Sequence, residues 1–213
     1  MGTNIDHAPS IVVVSGPNGA GKSTTAEALL KGTLAVEEFV DADVIARGLS
    51  GFAPEGAAVR AGRILLARIR ELAERRASFA FETTLASRSF APWLRGLRET
   101  GYMVHLVYFW LPSPEVAVAR VHQRVLAAGH AVPEETIRRR YGRSLANFLE
   151  LYRPLAASWR VYDNATIQGP RLVARGRGRE VDEVLDEKLW RKIRAARPGL
   201  GSQEVDPGAH DRG

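Results

Sequence analysis

Short apolar runs alternate along the chain with longer segments that have the spacing of helices. Residues 11–14 form a continuous β-branched run, which is typical of a strand buried on both faces of a sheet. Residues 54–76 carry apolar side chains at helical spacing with arginines and glutamates between them, which predicts a surface helix packed on that sheet. Residues 102–111 form another apolar run and predict a long strand, whose aromatic residues Tyr108, Phe109 and Trp110 we expect in the core.

The remaining elements complete an alternation of strands and helices. We predict further strands at residues 39–40, 79–81, 161–162 and 172–174, and further helices at residues 22–31, 115–126, 134–151 and 181–196. Such an alternation predicts an α/β fold in three layers, with a mostly parallel sheet covered by helices on both faces. We expect a single domain over residues 1–197, and residues 198–213, which are rich in Gly, Pro and charge, predict a disordered tail.

The composition of the chain indicates a soluble, cytoplasmic protein. Its 213 residues include no cysteine, which excludes disulfides and thiolate metal sites. The first residues lack the basic start and apolar stretch of a signal peptide. The longest apolar runs fall below the roughly 18 residues that a membrane helix needs, so we expect no membrane partner.

The positively charged residues are not concentrated in one segment of the chain. The formal net charge is +6, and the arginines are spread over most of the predicted helices, which is typical of a solvated basic face. Nucleic acid is therefore not the expected partner. The cluster Arg138, Arg139 and Arg140 remains a local candidate for anion binding.

A glycine-rich segment directly follows the first predicted strand and opens the first helix. It consists of Gly16, Pro17, Asn18, Gly19, Ala20, Gly21, Lys22 and Ser23, the pattern of a P-loop. Backbone N–H groups of such a loop converge on phosphate oxygens, and the N-terminus of the following helix favours negative charge. In this pattern Lys22 neutralises the β and γ phosphates, and the Ser23 hydroxyl ligates Mg²⁺. The segment therefore predicts a kinase-like P-loop NTPase fold with ATP and Mg²⁺ as cofactors.

Three carboxylates follow predicted strands, at the edge of a parallel sheet where ligands bind. Glu82 closes the strand at residues 79–81, where it could hold Mg²⁺ or cap a nearby helix. Asp41 and Asp43 follow the strand at residues 39–40 at alternate positions, so we expect them on the same side of an extended segment. Either could accept the proton of an attacking hydroxyl or cap a turn or helix, and Asp43 is the better candidate base.

Two arginines and a histidine are candidates for phosphate contacts. Arg120 and Arg124 lie four residues apart in the helix predicted at residues 115–126, and hence on one face of it. Such a pair close to ATP could clamp the transferring phosphoryl group, or the two could be ordinary surface arginines. His130 lies in a break of the chain at residues 129–133, where a lone histidine is more often solvated than functional.

Several separated motifs occur in one order along the chain. They are residues 16–24 (GPNGAGKST, ending in Thr24), 40–43 (VDAD), 81–84 (FETT), 101–102 (GY), 110–112 (WLP), 129–130 (GH) and 138–141 (RRRY). Together they resemble the zeta toxin family of small P-loop kinases, over about residues 11–174. This combination of motifs is far more specific than the P-loop alone.

The resemblance implies an ATP-dependent kinase, since the better known zeta toxins phosphorylate the 3′-hydroxyl of the sugar in UDP-N-acetylglucosamine. By this resemblance Asp43 is the general base, Arg120 stabilises the transferring phosphate, and Glu82 belongs to the metal and catalytic network. The resemblance implies that the P-loop with Thr24 binds ATP, and the helix spacing makes Arg124 a further candidate for an ATP contact. Thr83 and Thr84 are the implied substrate-binding residues beside Asp43, and an antitoxin is the implied protein partner.

One position departs from the family pattern. The toxins carry an acidic substrate ligand on the helix before the third strand, whereas residues 58–70 contain no carboxylate and the four arginines Arg60, Arg63, Arg68 and Arg70. UDP-N-acetylglucosamine therefore does not follow as the acceptor. The second phosphate-binding arginine of the family also has no fixed counterpart, and the alternatives are His130, Arg124 and one of the residues Arg138, Arg139 and Arg140.

Three functions are compatible with these motifs. A kinase that phosphorylates a hydroxyl of a small polar metabolite, such as a sugar or nucleotide sugar, accounts for the P-loop, the aspartate and the arginines together. A polynucleotide 5′-hydroxyl kinase is an alternative that the positive charge would permit. The other alternative is an ATP-binding switch or ATPase module that phosphorylates no acceptor.

Overall fold

The architecture is a single sheet with helices on both sides. A computed structural model of the protein describes residues 8–29, 36, 38–49, 54–126, 131–166 and 168–196. The strands are β1 (Ser10–Ser15), β2 (Glu38–Val40), β3 (Phe79–Thr83), β4 (Met103–Trp110), β5 (Ser158–Asp163), β6 (Arg171–Arg177) and β7 (Glu180–Val184). They form one sheet in the order β2-β3-β1-β4-β5-β6-β7. The pairings from β2 to β5 are parallel, whereas β6 and β7 join through antiparallel pairings at one edge.

The helices follow the strands along the chain. In the described residues they are α1 (Lys22–Leu29), α2 (Ala42–Leu49), α3 (Pro54–Glu74), α4 (Phe90–Glu99), α5 (Pro114–Leu126), α6 (Glu134–Asn147) and α7 (Glu187–Ala195). A π-helical turn (Phe148–Tyr152) and a 3₁₀ turn (Arg153–Leu155) continue α6. The helix predicted over residues 134–151 is therefore present, with a change of helical type near its end.

The central strand β1 explains the three layers. Its β-branched side chains Ile11 and Val13 pack on one face with residues of α3 and α4, whereas Val12 and Val14 pack on the other face with residues of α1 and α5. All four are almost completely buried. A strand whose alternate residues are apolar on both faces needs cover on both sides, so the predicted α/β fold with a mostly parallel sheet is confirmed.

The end of the sheet differs from the prediction. The helix expected at residues 181–196 begins only at Glu187, because residues 180–184 form β7 and pair with β6. Asp186 starts that helix, since its side chain accepts a hydrogen bond from the Leu189 N–H at 2.9 Å. Backbone pairing with a neighbouring strand decides the conformation of residues 180–184, and helical spacing of apolar residues cannot reveal such a partner.

Two helices that were not predicted, α2 and α4, follow β2 and β3. Both lie beside the carboxyl end of the sheet, so they shape the region where the predicted site residues collect. Some predictions fall outside the described residues: the end of the first helix at residues 30–31, His130, and the tail at residues 198–213. Within the described ranges, no helix combines the length and hydropathy that a bilayer span requires.

The close approach of β5 and β6 gives a test of the fold. A side-chain carbon added at Gly176 would overlap the Glu180 carbonyl oxygen of β7 and lie 2.5 Å from the ring of the fully buried Trp159, whereas one added at Gly96, in α4, would meet nothing within 4 Å. We expect Gly176→Ala to lower the free energy of unfolding by about 1–3 kcal/mol, the cost of overpacking. Gly96→Ala should leave it unchanged or raise it by about 0.5–1 kcal/mol, because alanine favours the helix. Chemical denaturation of both variants checks this, and equal stabilities would contradict it.

Candidate active site

The P-loop connects β1 to α1 at the carboxyl end of the sheet. The Ala20 N–H donates to the Pro17 carbonyl at 3.2 Å, which closes the loop on itself. The Lys22 ammonium, which is only 6% exposed, donates to the same carbonyl at 3.0 Å. The loop thus folds around the amine that its sequence assigns to phosphate binding.

Two glycines of the loop are required by their surroundings. Gly19 and Gly21 both have a φ of 75°, in the left-handed region that favours glycine. A side-chain carbon at Gly19 would lie 2.8 Å from the Ala117 carbonyl oxygen of α5, and one at Gly21 would lie 2.5 Å from the Asn164 amide nitrogen. The loop is therefore packed closely against α5 and against the segment that follows β5.

Glu82 lies at the centre of the site. Its carboxylate accepts a hydrogen bond from the Ser23 hydroxyl at 2.7 Å and lies 3.5 Å from the Lys22 ammonium. Burial raises the pKa of Glu82; Lys22 and the Ser23 hydrogen bond oppose this shift, while the charges of Asp41 and Asp43 add to it. The predicted grouping of Lys22, Ser23 and Glu82 is thus present in the geometry.

The expectation that Asp41 and Asp43 lie on an extended segment is wrong. Asp41 precedes α2, and its carboxylate accepts a hydrogen bond from the Asp43 N–H at 2.7 Å. Asp41 therefore caps the helix, which was one of its two predicted roles. Asp43 lies in the first turn of α2, and the helix begins here because a capping aspartate satisfies its free N–H groups.

The two arginines of α5 reach different parts of the site. Arg124 lies 3.4 Å from the Asp43 carboxylate. Arg120 instead donates to the backbone carbonyls of Asn164 and Ala165, at 2.6 and 2.9 Å. The structure therefore brings Arg124, but not Arg120, together with Asp43.

Asn164 is a residue that sequence reasoning missed. Its side-chain amide is buried and donates to the Ala20 carbonyl at 2.7 Å, which fastens the P-loop to the segment after β5. A pattern that could have found it is its place directly after a parallel strand, at the edge where ligands bind. The predicted strand at residues 161–162 ends two residues before Asn164, so the sequence pattern does not place Asn164 at a strand end.

The arginine cluster of α6 divides into three environments. Arg138 pairs with Glu115 at 2.6 Å and with Glu134 at 2.9 Å on the surface. Arg139 is exposed, whereas Arg140 is half-buried, and burial together with the Arg139 charge lowers its pKa while the Asp43 charge raises it. Of the three, Arg140 is the one directed towards the site.

These side chains meet in a cleft of about 480 Å³, a volume within the range of small-molecule sites. Among its lining residues are Lys22, Asp43, Glu82, Thr83, Thr84, Arg124 and Arg140. A neighbouring cleft of about 730 Å³ shares Asn18, Asp43 and Arg140 with it. Most of the predicted site residues thus line the first cleft, and Asp43 and Arg140 line both clefts.

The residues present fit a magnesium ion. Within the described residues there is no group of three or more side chains that could cage a metal. Mg²⁺ in kinases, however, is held by one or two carboxylates together with substrate phosphates and water. The Ser23 hydroxyl and the Glu82 carboxylate provide such oxygens, and the neighbouring Asp41 has a buried oxygen with no hydrogen-bond partner among the described residues. Buried polar atoms without partners are rare, so this oxygen favours a site that a ligand completes.

Comparison with known proteins identifies the family. A family model described as "AAA domain" matches residues 11–143. The chain belongs to this family. The AAA-domain chain is also 31% identical, over 126 residues, to an uncharacterized protein of Haemophilus influenzae; the match covers 59% of this chain and 88% of that relative.

Solved structures show which fold this AAA-domain protein has. A complex of AvrRxo1-ORF1 and AvrRxo1-ORF2 with ATP matches with a TM-score of 0.67 and 19% identity, over 94% of this chain and 67% of that one. The PezAT toxin-antitoxin system of Streptococcus pneumoniae matches with a TM-score of 0.60 and 16% identity, over 93% of this chain and 81% of that one. The predicted kinase-like P-loop fold is confirmed, and so is the resemblance to zeta toxins at the level of the fold.

The raised pKa of Glu82 predicts a pH dependence. A raised pKa means that Glu82 takes up its proton at a higher pH than an ordinary glutamate. The protonated carboxyl loses its attraction for Lys22 and for a metal ion, so affinity for ATP with Mg²⁺ should fall as the pH decreases through this pKa. Glu82→Gln should bind weakly and lose this part of the dependence. Calorimetric titration between pH 8 and pH 5 measures both.

The exposed Glu99 at the end of α4 provides the control for this experiment. Glu99→Gln makes the same change of charge as Glu82→Gln but lies outside the cleft. The pH profile of this variant should therefore match that of the unmodified protein. Identical profiles for the Glu82→Gln and unmodified proteins would contradict the assignment.

Proposed function

We propose that this protein is an ATP-dependent kinase that phosphorylates a hydroxyl group of a small polar metabolite, with a sugar or nucleotide sugar as the favoured acceptor class. The observation that carries the proposal is that Asp43 lines the same cleft as Lys22, Glu82 and the P-loop residue Asn18. The proton of an acceptor hydroxyl must leave during transfer, and this carboxylate could accept it. Attacking water can also use such a carboxylate, but the cleft of about 480 Å³ offers room for a metabolite beside the phosphates.

The proposed reaction assigns one task to each group. The acceptor oxygen attacks the γ phosphorus of ATP, a new oxygen–phosphorus bond forms, and the bond between that phosphorus and the β–γ bridging oxygen breaks to release ADP. The acceptor proton passes to the Asp43 carboxylate. Lys22 and Arg124 offset the negative charge of the transferring group. Ser23 and Glu82 would hold Mg²⁺, which when bound neutralises phosphate charge.

The contact between Arg124 and Asp43 supports placing both reactants in this cleft. The two side chains lie 3.4 Å apart and each is about 36% exposed, so both remain accessible to ligands. An arginine beside the proposed base can turn towards a phosphate and still stay within the site. This favours Arg124 over Arg120 as the clamp on the transferring phosphoryl group, and Arg140 as the second positive charge.

A protein partner is part of the proposal. Two of the structural neighbours are complexes in which a toxin is paired with an antitoxin or one open reading frame product is paired with a second. Their likeness to this chain is a likeness of fold. An antitoxin is accordingly the partner class to examine when the protein is expressed alone and its effect on growth is measured.

The function is tested with γ-labelled ATP, Mg²⁺ and a small-molecule cell extract. A labelled alcohol that disappears with Lys22→Ala supports the proposal. Label that appears instead on the 5′ end of an added oligonucleotide supports a polynucleotide kinase. Label released only as inorganic phosphate supports an ATPase or switch module, and either of these last two outcomes overturns the proposal.

Asp43 and Asp41 form a matched pair for testing the base. Asp43→Asn keeps shape and polarity but removes the proton acceptor, so phosphorylation of the acceptor should fall by roughly 10²- to 10⁴-fold with ATP affinity nearly unchanged. Asp41→Asn keeps the helix cap, because asparagine caps helices as well as aspartate does, so at saturating Mg²⁺ it should lose less activity than Asp43→Asn. Steady-state rates with labelled ATP measure both. A large loss for Asp41→Asn and none for Asp43→Asn would reverse the assignment.

The two arginines of α5 should give different kinetic effects. Arg124→Gln removes the charge beside Asp43, so we expect kcat to fall by roughly 10²-fold, with the KM for ATP little changed. Arg120→Gln removes two contacts to the segment that fastens the P-loop, so we expect mainly a higher KM for ATP. Equal losses of kcat in both variants would return Arg120 to the role of phosphate stabiliser that the family resemblance implies.

A further inference from the structure

One wall of the cleft is a face of α3 that combines apolar residues with one arginine. Val59, Gly62, Arg63 and Leu66 line the cleft and lie at the helical spacing that places them on one face. Val59 is 72% exposed, so this face is not packed into the core. Among the described side chains of α3 that line the cleft, Arg63 carries the only charge.

Arg63 differs from the other arginines in residues 58–70. Arg68 is occupied on the surface by Glu38 and Glu71, at 3.1 and 2.9 Å. Arg60 and Arg70 do not line the cleft. Among the described residues, no carboxylate forms an ion pair with Arg63. Its charge is thus available to a molecule in the cleft.

The carboxylates of the cleft have partners in the described structure, except for one oxygen of Asp41. Glu82 contacts Lys22 and Ser23, and Asp41 caps α2. Asp43 contacts Arg124, and its charge also acts on Arg140. Among the described residues, four basic side chains line the cleft, Lys22, Arg63, Arg124 and Arg140, against the three carboxylates of Asp41, Asp43 and Glu82, so the lining carries a net positive charge.

Another part of the lining offers hydroxyl groups and an aromatic ring. Ser87 and Ser89 line the cleft, with their hydroxyl oxygens 2.8 Å apart, and the half-buried Phe90 follows them. Hydroxyls both donate and accept hydrogen bonds, whereas a guanidinium only donates. A ligand that contacts both parts of the lining must thus offer acceptors to Arg63 and can offer ordinary hydroxyls elsewhere.

We propose that the acceptor carries a negatively charged group, a phosphate or a carboxylate, and that Arg63 binds this group while the acceptor hydroxyl faces Asp43. The inference rests on the proposed kinase function and names the substrate class of the same cleft. An arginine is suited to the role because its planar guanidinium binds phosphate and carboxylate groups through paired hydrogen bonds. An acidic ligand at this helix would instead favour neutral hydroxyls, and the chain has no carboxylate in residues 58–70.

The test separates acceptors by charge. A small-molecule cell extract is divided on an anion-exchange resin into retained and unretained fractions, and each is incubated with γ-labelled ATP, Mg²⁺ and the full-length protein. We expect the labelled product to arise from the retained, anionic fraction. Label that arises from the unretained fraction overturns the inference but leaves the kinase function in place. Label on neither fraction overturns the kinase function itself.

Variants of Arg63 test the residue assignment on the same fraction. With Arg63→Gln, the concentration of anionic fraction that gives half-maximal labelling should rise by roughly tenfold or more, the effect of losing a charge-assisted hydrogen bond, with kcat and the KM for ATP unchanged. Arg63→Lys should restore part of the loss because it restores the charge. Arg70→Gln, on an exposed position of the same helix outside the cleft, should behave as the unmodified protein. Equal values for Arg63→Gln and Arg70→Gln would overturn the assignment.

The chemical group that carries the negative charge of the acceptor is identified by treating the anionic fraction with alkaline phosphatase. The phosphatase is removed before labelling. Loss of the labelled product identifies a phosphate monoester as the group that Arg63 binds. Retention of the product identifies a carboxylate or a phosphodiester. Both results support an anionic acceptor, and they distinguish a phosphate monoester from a carboxylate or a phosphodiester.

Discussion

The site depends on the parallel register of β1 and β3. In this register Val14 is paired with Glu82, so the carboxylate emerges beside the start of the P-loop. There it meets Lys22, and both side chains are nearly buried, at 6% and 12% exposure. Buried charges are tolerated when they are paired and hydrogen-bonded, and Ser23 supplies the further hydrogen bond. A slip of one residue between these strands would turn Glu82 to the opposite face of the sheet and leave Lys22 unpaired.

Helix α5 extends this arrangement to the rest of the site. Its residue Ala117 packs so closely on Gly19 that the P-loop has no room for a side chain there. One turn further on, Arg120 holds the segment after β5, which in turn fastens Ala20 through Asn164. Arg124 then reaches Asp43 at the start of α2. A single helix thus contacts the phosphate-binding loop, the segment that supports it and the proposed base, so the geometry of these three parts is coupled.

The placement of the arginines indicates more about the ligands of the protein than its net charge does. Most of the arginines behave as surface residues, as Arg68 and Arg138 show through their pairs with glutamates. Arg63, Arg124 and Arg140 differ, because they line the cleft together with Lys22 and outnumber with it the three carboxylates there. Their concentration there favours anionic ligands, whereas the net charge of +6 by itself is equally consistent with a solvated surface.

The sequence by itself determined the features that depend on neighbouring residues. The β-branched run of β1 and the glycines, lysine and serine that follow it specify a strand, a phosphate-binding loop and a helix, because all three are read from local spacing. The alternation of elements likewise determined the α/β fold. Tertiary structure alone decided the partners: residues 180–184 pair with β6, Arg124 reaches Asp43, and Arg120 reaches the segment after β5. Asn164 and Arg63 also gained their importance only from residues far away in the chain. Spacing fixes which face of an element a side chain occupies, but the packing of the elements fixes what that face meets.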